Sequence, residues 1–440
     1  MGKRYVVQAR KVEGMRGAFG MTTSQRVHVF LVCVGLFSSG LLLALTARSC
    51  ADAGSEHRSY LVTEGLAATM PSQRPFHPGE LMLRQALEHY RHLATQGGWP
   101  TLPSGMTLRK GDRGHAVVVL QHRLHATGDL VTWSPGSGEL FDSVVEHAVR
   151  AFQQRHGLVV DGIVGSETRA ALQVSVEERV RQLALNVERW HSLPEQLGTR
   201  YILVNIPSFT LQVVENEQPV MSMRVVVGTP SRPTPLFRST LTAVVLNPAW
   251  DVPDRIAREE IVPLLRRQPS HLTTHHFTLL QGWGAKGHEI SPHTIDWSQI
   301  SPTRFPYRLR QEPGPTNALG RIKFIVPNPF HVFLHDTPSR TLFRHPVRAY
   351  SHGCIRLEKP GALAAYLLRD EPAWTRAHID AAIAQGRQRT IELAAPIPVY
   401  VIYHTAWVDA EGTVHFRPDI YEYDTAPAEA RDDAHAIPCG

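Results

Sequence analysis

FLHDTPSRTLFRHPVRAYSHGCIR, residues 333–356, holds the side chains on which the reading of this chain turns. Cys354 is one of four cysteines; Cys33 lies in an apolar N-terminal run, Cys50 just after it, and Cys439 next to the last residue. Cys354 alone falls inside a folded-domain pattern, after Ser351-His352-Gly353 and before Ile355-Arg356, with His335 nineteen residues upstream at the end of Phe333-Leu334. A thiolate is a strong nucleophile, but a free cysteine near neutral pH is mostly thiol and needs a base or a positive field. His335, at a strand end, can serve as that base if a loop returns Cys354 beside it. Gly353 allows a close backbone approach. Small polar residues before the cysteine suit a tight turn whose N–H groups face a developing oxyanion. Arg356 is a fixed cation able to hold a carboxylate. Chemistry alone leaves a second reading open, a buried inert cysteine beside two surface histidines.

The order His335, then Ser351-His352-Gly353-Cys354-x-Arg356, resembles the signature of the L,D-transpeptidase (YkuD-type) family: a His, a gap of this size, then Ser/Thr-His-Gly-Cys-x-Asn/Arg. Asn317-Ala318-Leu319-Gly320-Arg321-Ile322-Lys323-Phe324 and Leu334-His335-Asp336-Thr337-Pro338 are similar to one branch, the large periplasmic YcbB-like enzymes. The resemblance covers roughly residues 80 to 425. It implies an α+β multidomain chain whose β-sandwich-like catalytic domain carries a helical lid insertion. It implies acyl transfer on peptidoglycan stem peptides, forming 3→3 cross-links between meso-diaminopimelate residues, with no metal or organic cofactor. Cys354 is then the nucleophile and His335 its base. Gly353 and Cys354 supply oxyanion N–H groups, Ser351 and His352 shape the pocket, and Arg356 seats the donor carboxylate. Asp336 follows His335, and either its carboxylate or a backbone carbonyl orients the imidazole. The same site could instead attach a lipoprotein to the wall or hydrolyse that bond. A non-catalytic wall-binding protein is disfavoured, because every signature position is filled.

Charge excludes another class of partner. Of the formal +6, residues 1–26 carry +5 (six basic residues against Glu13), leaving 40 basic and 39 acidic side chains elsewhere. No basic stripe remains for nucleic acid. Residues 27–47, VHVFLVCVGLFSSGLLLALTA, have no formal charge and are long enough to span a bilayer as a helix. The basic flank before them predicts a cytoplasmic N-terminus and an exported body, anchored in the inner membrane and facing the periplasm. A cleaved signal peptide, and hence secretion, is the competing expectation. Expected partners are peptidoglycan stem peptides and glycan, the inner membrane, and other cell-wall synthesis proteins.

The remaining chain divides by pattern. Residues 1–50 are the basic region and anchor, and 51–106 a linker followed by a helix from about Gly79 to Thr95. Residues 107–174 read as three short helices with Leu108, Val118, Leu120, Leu124, Phe141, Val149, Phe152, Leu158, Ile163 and Leu172 as core. Leu108-Arg109-Lys110-Gly111-Asp112 and Asp161-Gly162-Ile163-Val164-Gly165 there resemble a peptidoglycan-binding module. Residues 175–199 are helical again, so two flanking helices are expected to pack as a scaffold with the module inserted between them. Strand periodicity starts near Arg200, and 200–425 reads as the catalytic domain. About 255–315 reads as an insertion, helical and then irregular. Its aromatics Phe277, Trp283, Trp297, Phe305 and Tyr307 suggest a cover over the substrate. Residues 426–440 read as a tail. Gly282–Gly287 matches GxGxxG, but Ser291-Pro292 leaves no room for the helix such a loop needs.

Overall fold

The computed structural model describes residues 77–105, 107–134, 136, 138–282, 287–301, 303 and 305–425. The anchor, the linker before residue 77, the tail after residue 425, Cys33, Cys50, Cys439 and Trp283 all lie outside these residues. Among the described residues no helix is long and apolar enough to cross a membrane.

Helix α1 (Pro78–Thr95) buries Leu83, Ala86, Leu87 and Tyr90, the spacing of one helical face. Three short helices follow, α2 (His115–Ala126), α3 (Ser143–Arg155) and α4 (Ser166–Gln173). Asp142 starts α3 by accepting from the N–H groups of Val144 and Val145, each at 2.9 Å. Two expected core positions of this unit are off by one residue. Val117, not Val118, is fully buried, because it shares a face with Leu120 and Leu124. Val164 is buried and Ile163 exposed, because Val164 bridges to the strand-like Leu108. Helix α5 (Val176–His191) returns beside α1, and Leu183, Val187 and Trp190 close a shared core with it.

The strands are β1 (Arg200–Asn205), β2 (Thr210–Glu215), β3 (Gln218–Gly228), β4 (Phe237–Leu246), β5 (Trp250–Asp251), β6 (Phe277–Gln281), β7 (His288–Ile290), β8 (Tyr307–Gln311), β9 (Ile322–Ile325), β10 (Leu334–His335), β11 (Ala349–Ser351), β12 (Ile355–Leu357), β13 (Arg389–Ile402), β14 (Ala406–Val408) and β15 (Val414–Phe416). The large sheet runs β11-β3-β12-β10-β9-β4-β13-β1-β2, and β2 pairs back onto β3. The sheet therefore closes on itself, so the expected sandwich-like faces are two sides of one ring, with β11 attached outside it. Alternation along the strands fills two cores. Ile202, Val204, Val399 and Val401 point into the ring. Tyr201, Val214, Tyr400 and Ile402 point out, against α1 and α5.

The insertion differs from expectation. It begins helically at Asp254–Ile256, Ala257–Ile261 (a π-turn) and Val262–Arg267, but it then forms a four-stranded antiparallel sheet, β5-β8-β6-β7. Tyr307-Arg308-Leu309-Arg310-Gln311 alternates as a strand should, with Leu309 buried and Arg310 turned out to Asp251. Trp297 and Phe305 are buried in the insertion's own core, and Phe277 and Tyr307 pack on it. These four aromatics hold the insertion together. Asn317 ties both of its ends together, donating to the carbonyls of Pro248, Gln311 and Glu312.

Candidate active site

Parallel pairing of β10 with β12 sets Leu334 opposite Ile355 and His335 opposite Arg356. Cys354 enters β12 directly and His335 ends β10, so the nineteen-residue gap closes into neighbouring strands. Both line a cleft of about 500 Å³ with Ser351, His352, Arg356 and Lys323. Gly353 has φ of 110°, a conformation that side-chain-bearing residues rarely adopt.

The turn before Cys354 is bolted down. Ser351 is buried, and its Oγ donates to the Cys354 carbonyl at 2.5 Å. Thr234 Oγ1 donates to the Gly353 carbonyl at 2.8 Å. Thr234 in turn accepts from the Gly228 N–H, while Tyr421 donates to the Gly228 carbonyl. One expectation fails here. The Gly353 N–H donates to Ser351 Oγ at 3.1 Å, because the turn folds back on that hydroxyl, and is not free for an oxyanion. The Cys354 N–H makes no hydrogen bond to a described residue and remains available.

His335 is oriented by a backbone carbonyl. Its Nδ1–H donates to the carbonyl oxygen of Asp336 at 2.5 Å, leaving Nε2 as the basic nitrogen. The Asp336 carboxylate points elsewhere, accepting from the Arg321 N–H at 2.8 Å and pairing with Arg340 at 3.3 Å. Residue 320 must be glycine: its φ is 64°, and an added Cβ would lie 2.4 Å from Asp336 Oδ2.

Electrostatics keep the pair neutral at rest. Burial, with Arg356 and Lys323 adding to it, lowers the His335 imidazole to about 3 against the pull of the Asp336 and Leu319 backbone. Burial raises the Cys354 thiol, although the Phe333 backbone, Lys323 and Arg356 favour its thiolate. Arg356 has a buried Nε with no partner, and its guanidinium meets no carboxylate among the described residues. It therefore faces the cleft as an unmatched cation.

Three participants were not singled out from sequence. Lys323 stands across β9–β10 from His335 and stacks over the Phe333 ring at 3.5 Å. Glu260, on the π-turn of the insertion, accepts from Arg232 at 2.7 Å and contacts His352 Nε2. His352 thus lines the cleft and is held there by the insertion. Burial pushes the Glu260 carboxyl up, but the hydrogen bonds from Arg232 and His352 outweigh it and hold the group below its ordinary value. Asp251 at the rim pairs with Arg310 at 2.9 Å. Among these only Lys323 had a sequence signal, its place in the 317–324 resemblance.

Comparison with known proteins agrees with the geometry. Residues 199–379 match the YkuD family, described as the L,D-transpeptidase catalytic domain, and residues 113–172 match a "Putative peptidoglycan binding domain". The matched segments are those of an L,D-transpeptidase catalytic domain and of a peptidoglycan-binding module. A "Putative L,D-transpeptidase" of Haemophilus influenzae is 38% identical over 254 residues, 58% of this chain and 50% of the relative. The N-acetylmuramoyl-L-alanine amidase CwlM of Mycobacterium tuberculosis is 46% identical over 81 residues, 17% of this chain and 20% of that protein. The matched region thus spans half or less of each curated relative. Among solved structures, LD transpeptidase LdtMt1 in complex with imipenem is 16% identical, covering 46% of this chain and 59% of that one, with a TM-score of 0.23.

Proposed function

We propose that the protein is a peptidoglycan L,D-transpeptidase working through a cysteine acyl-enzyme. The observation that carries this is the β10–β12 register, which sets a base, a thiol and an unmatched guanidinium around one cleft. Arg356 holds the carboxylate of the donor stem peptide. Cys354 Sγ attacks the carbonyl at the L-centre of meso-diaminopimelate as His335 Nε2 takes its proton. A thioester forms, the amide to the terminal D-alanine breaks, and the proton passes to the leaving amine. The Cys354 N–H faces the oxyanion. A side-chain amine of a second diaminopimelate then attacks the thioester, giving its proton to His335 and restoring the thiol. The product is a 3→3 cross-link. Because thiol and imidazole rest neutral, His335 acts as a general base during attack and no standing ion pair is needed. We place the reaction in the periplasm, with residues 27–47 as the inner-membrane anchor and the module engaging glycan.

Mass spectrometry of muropeptides, from cells with and without the protein, tests this reading. New 3→3 dimers are the expected result. Linkage of a lipoprotein to the wall, with no dimers, would assign the acceptor differently on the same acyl-enzyme.

A further inference from the structure

A second cleft, of about 680 Å³, lies where the peptidoglycan-binding module meets the catalytic domain. The end of α3 and α4 form one wall; Ser208–Thr210, Pro346–Arg348 and the β15 end form the other. Three arginines line it, Arg179, Arg348 and Arg417. None of them meets a carboxylate among the described residues. Arg348 donates to the carbonyls of Val225, His345, Pro346 and Phe209. Arg417 donates to the carbonyls of Arg155 and Phe416, lying so close to Gly157 that an added Cβ there would fall 2.5 Å from it. Arg179 donates to Gln182 and to the Ala171 carbonyl. Arg179 is 7% exposed and its Nε is buried with no partner. Burial lowers all three guanidinium groups to about 10.

Arg179 and Arg348 are buried and Arg417 is half-buried; holding them without an ion-paired carboxylate is costly, and carbonyl dipoles and the Phe416, Phe209 and Trp407 rings they stack on offset only part of that cost. An anion from outside would complete the arrangement. The volume suits a short peptide, since ligand pockets run to a few hundred Å³, whereas a lone inorganic anion would leave most of the space unfilled. Glu167, an exposed residue of the same lining, supplies a carboxylate that can accept from an ammonium group of such a peptide.

We propose that this cleft binds a carboxylate-bearing peptide, a second peptidoglycan stem held apart from the Cys354 cleft, with Arg179, Arg348 and Arg417 as its anion seat. The identity of the peptide rests on the function proposed above; the anion seat does not.

The test is calorimetric titration of the full chain carrying Cys354→Ala with L-alanyl-γ-D-glutamyl-meso-diaminopimelate. Two sites are expected. Arg179→Gln should weaken one of them about tenfold or more and spare the other. Ala170→Glu, at an exposed α4 position lining the cleft, places a carboxylate beside the arginines and should do the same without disturbing a core. Arg356→Met should weaken only the other site. A single site, lost in Arg356→Met and untouched by Ala170→Glu, overturns the proposal and leaves the catalytic reading standing. A single site lost in Ala170→Glu and untouched by Arg356→Met supports the proposal while removing the donor seat from the catalytic reading. Equal affinity for inorganic phosphate at the Arg179 site overturns the peptide assignment.

Discussion

The two clefts share one electrostatic design and differ in one atom. Each is lined by arginine without a carboxylate partner and holds a buried histidine kept neutral by burial and nearby cations, His335 in the first and His156 in the second. Each histidine donates Nδ1–H to a backbone carbonyl, of Asp336 and of Phe152 respectively. Only the first has a sulfur beside its histidine. His156 lies instead against the rings of Phe152 and Phe416, and among the described residues its one side-chain hydrogen bond is to the Phe152 carbonyl. A cationic pocket with a neutral histidine is thus a place for anions. It becomes a place for chemistry when a nucleophile is added. One segment serves both: Pro346–Arg348 line the second cleft, and Ser351, His352 and Cys354 the first.

The comparison breaks most visibly at the sulfur. Cys354→Ala should abolish acyl transfer in a muropeptide assay while leaving peptide binding at Arg179 intact. His335→Ala should lose nearly as much, on the order of 10⁴-fold or more, since residues acting as a unit are not additive. Transfer surviving in Cys354→Ala would falsify the assignment of the nucleophile.

Next in size is acid lability. His335 and His404 are lowered to about 3 and His156 well below its ordinary value, whereas in the unfolded chain each titrates near 6.5. Above 6.5 both states are neutral and pH has no leverage. As pH falls from 6.5 toward 3 the unfolded chain takes up protons that the native state refuses, so stability falls. His335 and His404 should each contribute about 1.4 kcal/mol per pH unit in that window, and His156 should act in the same direction. Urea titrations at pH 7 and 5 should show the loss, and His156→Phe should reduce the slope. An unchanged slope would show that His156 is not held neutral.

Arg356→Met should raise KM for a donor peptide about tenfold or more with a smaller change in kcat, as expected for a lost carboxylate contact, and Lys323→Met, which removes a second cation from the same cleft, should raise it less. Arg356→Lys should rescue only in part, because an ammonium cannot reproduce the fork. Equal loss of kcat in both would assign these cations to the transition state instead.

The smallest effect concerns the insertion. Glu260→Gln weakens the hold on Arg232 and His352, an exposed contact of roughly 0–1 kcal/mol, so turnover should change only a few-fold. An unfolded insertion in the circular dichroism of that variant would mean the contact is structural.

The contrast between the catalytic turn and the insertion also shows what sequence can carry. Cys354, His335 and Arg356 were legible because strand ends and a glycine turn fix them locally, and because the signature leaves little freedom of type. Lys323 reaches the cleft through the β9–β10 register, and Glu260 through folding of the insertion back over His352; neither contact leaves a periodic trace. The strands β6 and β8 were missed because prolines and arginines interrupt their surroundings and their partners lie some thirty residues apart. The ring closure was hidden for the same reason, since pairing β1 with β13 joins chain segments almost two hundred residues apart. The Gly353 N–H was misassigned because Ser351 Oγ captures it, a contact two residues away whose direction only the turn decides.

The module leaves α1 and returns into α5, and those helices lie side by side. A pull on the module therefore reaches the catalytic ring along one covalent path, through α5 into β1, and along a packed one, through α1 against α5, loading the helix pair in shear, where many side-chain contacts must slide together. A module hung on one linker would peel away contact by contact and swing freely about its tether. Here the tether is a strut, and the angle at which the module presents its surface is set by the fold.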